Sequence, residues 1–238
     1  MTTVKNVEAY SRLVGFCTGY GGKYQPGHPN LQLDALVANL DNARSAIERA
    51  NFYKNLYDET VNRRKQAFAS IGTLASHMVR TMKNADASQE TLNDARFLVR
   101  NLTGKTASNR QAIPSAQAEG VIVRRSNLQM AYVSKANWFS KLVQTVEHQP
   151  RYTTYVEALT KASLQEKVRQ LESLNNQVIT AYVEWSNARM ERDKVLYVNP
   201  NSLATTFTKV KDEVRTLFGT GSKEFAQVRS LKITKTTG

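Results

Sequence analysis

Forty-one consecutive residues, Tyr155 to Val195, contain neither glycine nor proline. Within them apolar side chains recur at Leu164, Leu171, Val178 and Trp185, seven apart, with Val168 and Tyr182 in the alternate positions. This 4-then-3 spacing is the seam of a helix packed along other helices. The stretch predicts one helix of roughly 60 Å at about 1.5 Å per residue, several times the usual length. A rod of that length needs partner helices to bury its stripe.

The partner is sought upstream. From Leu31, with Asn30 as the N-cap, the pattern predicts a second long helix. Leu33, Leu40, Ile47, Val61 and Phe68 form one row, interrupted by Lys54. Leu36, Ala43, Ala50, Tyr57 and Ile71 form the other, interrupted by Arg64. Ser70-Ile71-Gly72 is expected to kink or end this helix, and Leu74, Met78 and Met82 carry a helical face on to about Asn84. Ser88 caps a shorter helix, Gln89 to Leu102, which Gly104 stops.

Residues 103 to 120 hold no periodicity and read as a surface linker. Val121-Ile122-Val123 is too short to classify by period, and one arrangement pairs it as a small strand with Leu231-Lys232-Ile233. Leu128, Ala131, Trp138, Leu142 and Val146 predict a connecting helix over 126–148, ending before Pro150. Past the long helix, Asn199 to Ser202 is a turn and cap. Leu203 to Phe218 is a helix with Phe207, Val210, Val214 and Leu217 on its apolar face, closed by Gly219 in the left-handed region. Ser222 caps a last short helix to about Arg229.

The fold class that follows is all-α: an elongated antiparallel helical bundle with two long helices and an internal duplication. A shift of 129 positions superimposes Tyr53 on Tyr182, Arg63 on Arg192, Lys65 on Lys194 and Phe68 on Tyr197. The same shift places Leu74 on Leu203, Ala75 on Ala204 and Met78 on Phe207. The expected organisation is an arm rich in Gly, Pro and aromatics at 1–30, a single bundle domain at 31–230 and a basic tail at 231–238. Within the domain lie pseudo-repeats of about 31–104 and 155–230, with a linker at 103–125 and the connecting helix between them.

Leu13 to Tyr24 with the Gly-rich turn before Pro26, the run Asn187-Ala188-Arg189 with Glu191-Arg192, and Phe218-Gly219 followed by Ser222, Phe225 and Val228 resemble a family of uncharacterised helical proteins from Bacteroidetes-type bacteria. The resemblance runs over nearly the whole chain and implies one intact domain. It brings no activity and no site residues with it.

Charge says more about function than any motif does. Thirty-three basic residues against twenty acidic give a formal +13. The organising helix is balanced, whereas residues 121–155 carry five basic against one acidic residue and residues 201–238 carry seven against three. Arg124, Arg125, Lys135 and Lys141 in the first segment, and Lys223, Arg229, Lys232 and Lys235 in the second, are the candidate polyanion-binding residues. Each cation that neutralises a phosphate releases counterions, so such patches give salt-dependent affinity without a reading motif.

Catalytic, cofactor and metal residues are not expected. Gly22-Lys23 lacks the upstream glycine and the following Ser or Thr of a phosphate loop, since Cys17 and Tyr24 stand there. His28, His77 and His148 have no second ligand at helical spacing, and no Glu-x-x-His occurs. Glu184, Glu191 and Asp193 share a helix with Arg189, Arg192 and Lys194, the pattern of a solvated ion-pair surface. Cys17 alone makes no internal disulfide, and no apolar run reaches the roughly 18 residues of a membrane span. With no secretory pattern at the start, the expected setting is the cytoplasm. The expectation is a non-enzymatic scaffold, self-associating or facing an acidic protein, with a sequence-nonspecific nucleic-acid binder as the first alternative and an enzyme whose site is not visible in the sequence as the second. In the self-associating version the N-terminal arm docks on a neighbouring copy.

Overall fold

The computed structural model describes residues 2–104 and 122–234. Among them the fold is all-α, with no strand. Eight α-helices follow one another: α1 (Thr2–Gly19), α2 (Leu33–Ala69), α3 (Ile71–Asn84), α4 (Gln89–Thr103), α5 (Ile122–Glu147), α6 (Lys161–Asp193), α7 (Leu203–Phe218) and α8 (Lys223–Arg229).

Several boundaries are set by the chemistry the sequence announces. Ser88, Ser202 and Ser222 each accept a hydrogen bond from the backbone N–H three residues on, at 3.2, 3.3 and 3.0 Å. These satisfy first-turn donors of α4, α7 and α8 that have no partner inside the helix. Gly104 ends α4 in the left-handed region at φ 73°. Gly219 also has a positive φ, 87°, but its ψ of 158° lies outside the left-handed helical region, so α7 ends by a different turn from the one expected.

Other boundaries move. The organising helix begins at Lys161 and not at Tyr155, because Glu157–Leu159 forms a separate 3-10 turn and Thr160 is the cap, its Oγ1 accepting from Ser163 N at 3.2 Å. At its far end Lys194–Val198 widens into a π turn. Asn30 is not the cap of the second long helix: it lies inside the 3-10 turn Pro29–Leu31, and α2 starts at Leu33. Ile122 and Val123 open α5 and are not a strand, and Val121 lies outside the described residues, as does most of the expected linker. The glycine-bearing N-terminal stretch is helical from Thr2 to Gly19, and its aromatic residues are packed.

Packing groups the chain into two compact units, unit 1 over Met1–Leu56 and Tyr182–Gly238 and unit 2 over Tyr57–Ala181. Sequence had grouped it as arm, single domain and tail. Each long helix contributes its two ends to different units. Unit 1 is α1, the first part of α2, the last part of α6, α7 and α8. Tyr10, Leu13, Leu36 and Leu40 share its core with Leu196, Leu203, Val210 and Val228. Unit 2 is α5, the first part of α6, the last part of α2, α3 and α4. Phe68, Met78, Met82 and Leu102 share its core with Phe139, Leu142, Leu164 and Leu171.

The seam of the organising helix is buried where expected: Leu164, Leu171, Val178 and Trp185 are all inside. Its alternate row differs. Val168 is half-buried and Tyr182 is exposed, and Asn175, Ala181 and Ala188 take the inner positions. The inner row is Leu36, Ala43, Ala50 and Arg64 on α2 and Ile71 at the start of α3, so Arg64, read as an interruption, is a buried member of the row. Its guanidinium lies 4.2 Å from the Tyr132 ring centroid, which supplies an electron-rich face to a charge taken out of water.

The chain enters α2 and α6 in the same way. Buried Tyr24 donates its hydroxyl to Leu31 O at 2.9 Å, and buried Tyr152 donates to Leu159 O at 2.9 Å, seven residues on in both cases. Each bond ties the segment before a 3-10 turn to the turn itself.

Candidate partner-binding surfaces

The candidate basic residues are divided between the two units. Lys135 and Lys141 sit on α5 in unit 2, whereas Lys223, Arg229 and Lys232 belong to unit 1. Arg124 and Arg125 fall on the first turn of α5, with side chains outside the described residues, and Lys235 lies outside them altogether. Bridges between an arginine and a carboxylate among the described residues include Arg12–Glu8 and Arg169–Glu166 at 2.7 Å. Among the described residues, Lys135, Lys141, Lys223, Arg229 and Lys232 have no carboxylate partner.

Two of those lysines lie against rings instead. Lys141 Nζ is 4.8 Å from the Trp138 centroid, and Phe97, 49% exposed, stands edge-on to Trp138 at 6.3 Å. Lys135 Nζ is 5.9 Å from Tyr132, the ring that Arg64 covers. Unit 1 has a similar set in which Lys54 and Arg189 lie 6.0 and 5.4 Å from Trp185. Two cations on one ring repel each other, so an anion nearby lowers the energy of the pair.

In unit 2 a cleft of about 750 Å³ opens between α2 and α6, lined among others by Arg63, Gln66, Glu166, Arg169, Gln170 and Gln177. Glu166 holds Arg169 through two hydrogen bonds of 2.9 and 2.7 Å, and the amides offer neutral donors and acceptors around them. This lining suits a polar ligand more than an apolar one.

Unit 1 contains a site that charge counting missed. After α8 the segment Leu231–Thr234 is neither helix nor strand, with Leu231 and Ile233 half-buried against the core and Lys232 and Thr234 exposed. Asn6, 2% exposed on the inner face of α1, clamps it: Nδ2 donates to Thr234 O at 2.7 Å and Oδ1 accepts from Thr234 N at 3.0 Å. Nδ2 also reaches Tyr197 Oη at 2.9 Å. From the other side Lys211 Nζ donates to Arg229 O and Leu231 O at 3.0 and 2.9 Å. Burial lowers the Lys211 ammonium pKa, with neighbouring Lys232 adding to the shift and Asp212 opposing it. A cleft of about 610 Å³ remains between this segment and α7, with Ala204, Phe207 and Lys211 on the helical side. The available signal was a polar residue inside an apolar face, Asn6 beside Val7 and four before Tyr10.

The N-terminal aromatics are engaged within unit 1. Tyr20 lies 5.1 Å from Phe218 and donates to Glu224 O at 2.9 Å. Burial pushes the Cys17 thiol up to about 11, against the lowering effect of Tyr24, and raises the Tyr10 and Tyr24 phenols as well. The neutral forms are the ones this core favours. Their stabilising contribution is complete below the ordinary values of 9.0 for the thiol and 10.0 for the phenols, and is lost as pH rises through the folded-state values. Native protein is therefore expected to leave Cys17 unreactive toward an aromatic disulfide reagent at pH 8. It should lose stability to urea progressively above about pH 9, where unfolded thiols and phenols begin to ionise. Stoichiometric labelling without denaturant at pH 8 would contradict the burial.

Among the described residues, no group of three or more His, Cys, Asp or Glu side chains is placed to share a metal ion, and no helix is long and apolar enough to cross a membrane. His28 instead accepts from Asn30 N at 3.2 Å and closes the 3-10 turn before α2, and His148 lies 2.7 Å from Gln144 O. Compared with the models of known families, with curated proteins and with solved structures, the chain matches none.

Proposed function

We propose that this chain is a non-enzymatic interaction scaffold that meets an acidic partner through cations left unpaired on its surface. One observation carries this reading. Arginines within three or four residues hold Glu8, Asp41, Glu59, Glu166 and Asp212, whereas Lys135, Lys141, Lys223, Arg229 and Lys232 form no ion pair with any described carboxylate. Local pairs between exposed side chains contribute only about 0–1 kcal/mol each and remove their members from the external field. The unpaired cations supply the rest of it.

A second reading, sequence-nonspecific nucleic-acid binding, is favoured by Trp138, Lys141 and the exposed Phe97 on unit 2. A ring set beside a cation is the combination that stacks a base and holds its phosphate. Titration against polyglutamate, duplex DNA and single-stranded DNA over a salt series separates the readings. The first expects saturable polyglutamate binding that weakens as salt rises, and the second expects single-stranded DNA to bind tighter than polyglutamate at equal charge. No affinity for any of the three at low ionic strength removes both.

The finer fold reading, an antiparallel bundle made by duplication and able to self-associate, belongs with this proposal. Its support is register. Tyr24, Leu31, Leu36, Ala43, Ala50 and Phe68 are buried, and so are the residues 128 further on: Tyr152, Leu159, Leu164, Leu171, Val178 and Leu196. From Leu74 onward the interval becomes 129, pairing Ala75 with Ala204 and Met78 with Phe207. The interval of 129 read from letters over Tyr53 to Lys65 pairs half-buried Tyr53 with exposed Tyr182, so burial is the better guide there. Antiparallel long helices are consistent with unit 1 taking the first part of α2 and the last part of α6, and unit 2 the reverse.

A further inference from the structure

We propose that the face of unit 2 shared by α4 and α5 binds a short stretch of single-stranded nucleic acid, one base stacked in the corner of Phe97 and Trp138 and the phosphates on Arg100, Lys135 and Lys141. The inference rests on the nucleic-acid reading and names the strandedness of the ligand, the residues that hold it and the length they span.

The first argument is spacing. Lys135, Trp138 and Lys141 follow one another at intervals of three on α5, so each lysine stands about 60° from Trp138 around the helix and all three share one face. The lysines are about 9 Å apart along the axis, the reach of about three nucleotides at about 3.4 Å of stacked rise each. On α4, Arg100 follows Phe97 by three residues on the same face, and both are exposed. Like the two lysines, Arg100 forms no ion pair with any described carboxylate. Asp94, three residues before Phe97 and also exposed, repels phosphate on its own side and so leads the strand toward Arg100.

The second argument is ring geometry. The Phe97 and Trp138 planes stand at 88° with centroids 6.3 Å apart, making a corner of two walls, and Phe97 is 49% exposed. A base laid on one wall meets the other with its edge. Every base has such a face, so stacking of this kind is tolerant of sequence. Lys141 Nζ, 4.8 Å from the Trp138 centroid, puts a cation beside the stacking surface, where a stacked nucleotide carries its phosphate. In unit 1, Trp185 also has two cations over it but is 9% exposed, which leaves a base no room on its ring.

Shape selects the occupant. Neither ring lines a cleft described above, and a protein partner draws most of its affinity from anchor side chains that fill pockets. A base needs only an open ring face. A duplex would have to unstack a base to use the corner and otherwise offers it phosphate alone. The polar side chains beside Phe97 are engaged within α4: Asn93 Oδ1 accepts from Gln89 and Arg96, and Asn101 Nδ2 donates to Phe97 O. These groups are not set to read the 2′-hydroxyl of RNA, so a deoxy strand is a sufficient probe.

The test uses the full chain and four probes at low salt: octathymidylate, an abasic strand with the same number of phosphates, a hairpin duplex and polyglutamate. Octathymidylate is expected to bind saturably, and an iodouracil placed within it to crosslink on irradiation to Phe97 or Trp138. The log of its affinity should fall with the log of salt at a slope of about −2, at about 0.7 for each of three phosphate contacts, and Lys141→Gln should flatten that slope by about 0.7. Phe97→Ala, an exposed change that keeps the circular dichroism, should weaken octathymidylate about tenfold, and Phe97→Tyr should keep the parent affinity. The abasic strand and the duplex should each bind about tenfold more weakly than octathymidylate. Equal affinity for either of them, or a crosslink confined to other residues, overturns the inference. If octathymidylate binds and Phe97→Ala leaves its affinity unchanged, this site falls while the nucleic-acid reading stands. No binding of octathymidylate removes both, and polyglutamate binding that is tighter and is weakened by Phe97→Ala gives the corner to an acidic protein.

Discussion

A specific protease site inserted between Asn109 and Pro114 and then cut is expected to leave two fragments that elute together as one folded species. The reason lies in how the units are composed. In unit 1, Tyr10, Leu13, Leu36 and Leu40 come from the first fragment and Leu196, Leu203, Val210 and Val228 from the second. In unit 2, Phe68, Met78, Met82 and Leu102 come from the first and Phe139, Leu142, Leu164 and Leu171 from the second. Separating the fragments would expose both cores at once, at about 1.5–3 kcal/mol for each large apolar side chain returned to water. Cutting does change one thing: folding becomes bimolecular, so the melting temperature of the nicked protein should rise with its concentration while that of the intact chain does not. Either fragment expressed alone should lack the cooperative transition of the pair. Fragments that part on a sizing column in native buffer would show that the cores are not shared between the halves.

Replacing Phe139 by alanine is expected to remove about 3–5 kcal/mol of stability, the usual cost of deleting a fully enclosed aromatic ring. The ring is 0% exposed among Ala136, Leu142, Val143 and the α3 and α4 side chains of the same cluster, where close packing leaves little room to collapse into the space. Against a typical total of about 5–15 kcal/mol, such a loss should be plain in urea unfolding followed by circular dichroism. Phe139→Leu is expected to recover much of it, since most of the volume returns. A midpoint for the alanine variant within error of the parent would mean the ring is not enclosed.

Much of this architecture could be read from letters alone. The seven-residue spacing of Leu164, Leu171, Val178 and Trp185 locates a buried stripe because helical geometry forces those positions onto one face, and Ser88, Ser202 and Ser222 announce helix starts through an N-cap chemistry that is local. Tyr155 to Thr160 misled, because a run without glycine or proline permits a helix but does not compel one, and Thr160 was as good a cap as the serines. The division into units was hidden as well. Periodicity shows that a helix is buried along its length, and it says nothing about which neighbour buries each end. Among the candidate surfaces, counting cations found Lys223 and Lys232 but not what surrounds them. Asn6 and Lys211 act on main-chain carbonyls and amides more than two hundred and about twenty residues away, respectively, and no local pattern encodes such a partner. Phe97 and Trp138 come together only when α4 meets α5.

The π turn at Lys194–Val198 has a consequence for how this chain tolerates change. In an ordinary α-helix one added residue swings everything after it by about 100°, which would turn Leu203 and Phe207 away from the interior they fill. A widened turn absorbs the extra residue as a local bulge, so the side chains beyond it keep their bearing. The end of α6 therefore works as an expansion joint: length can vary there by a residue, and the helices that follow still meet the same core.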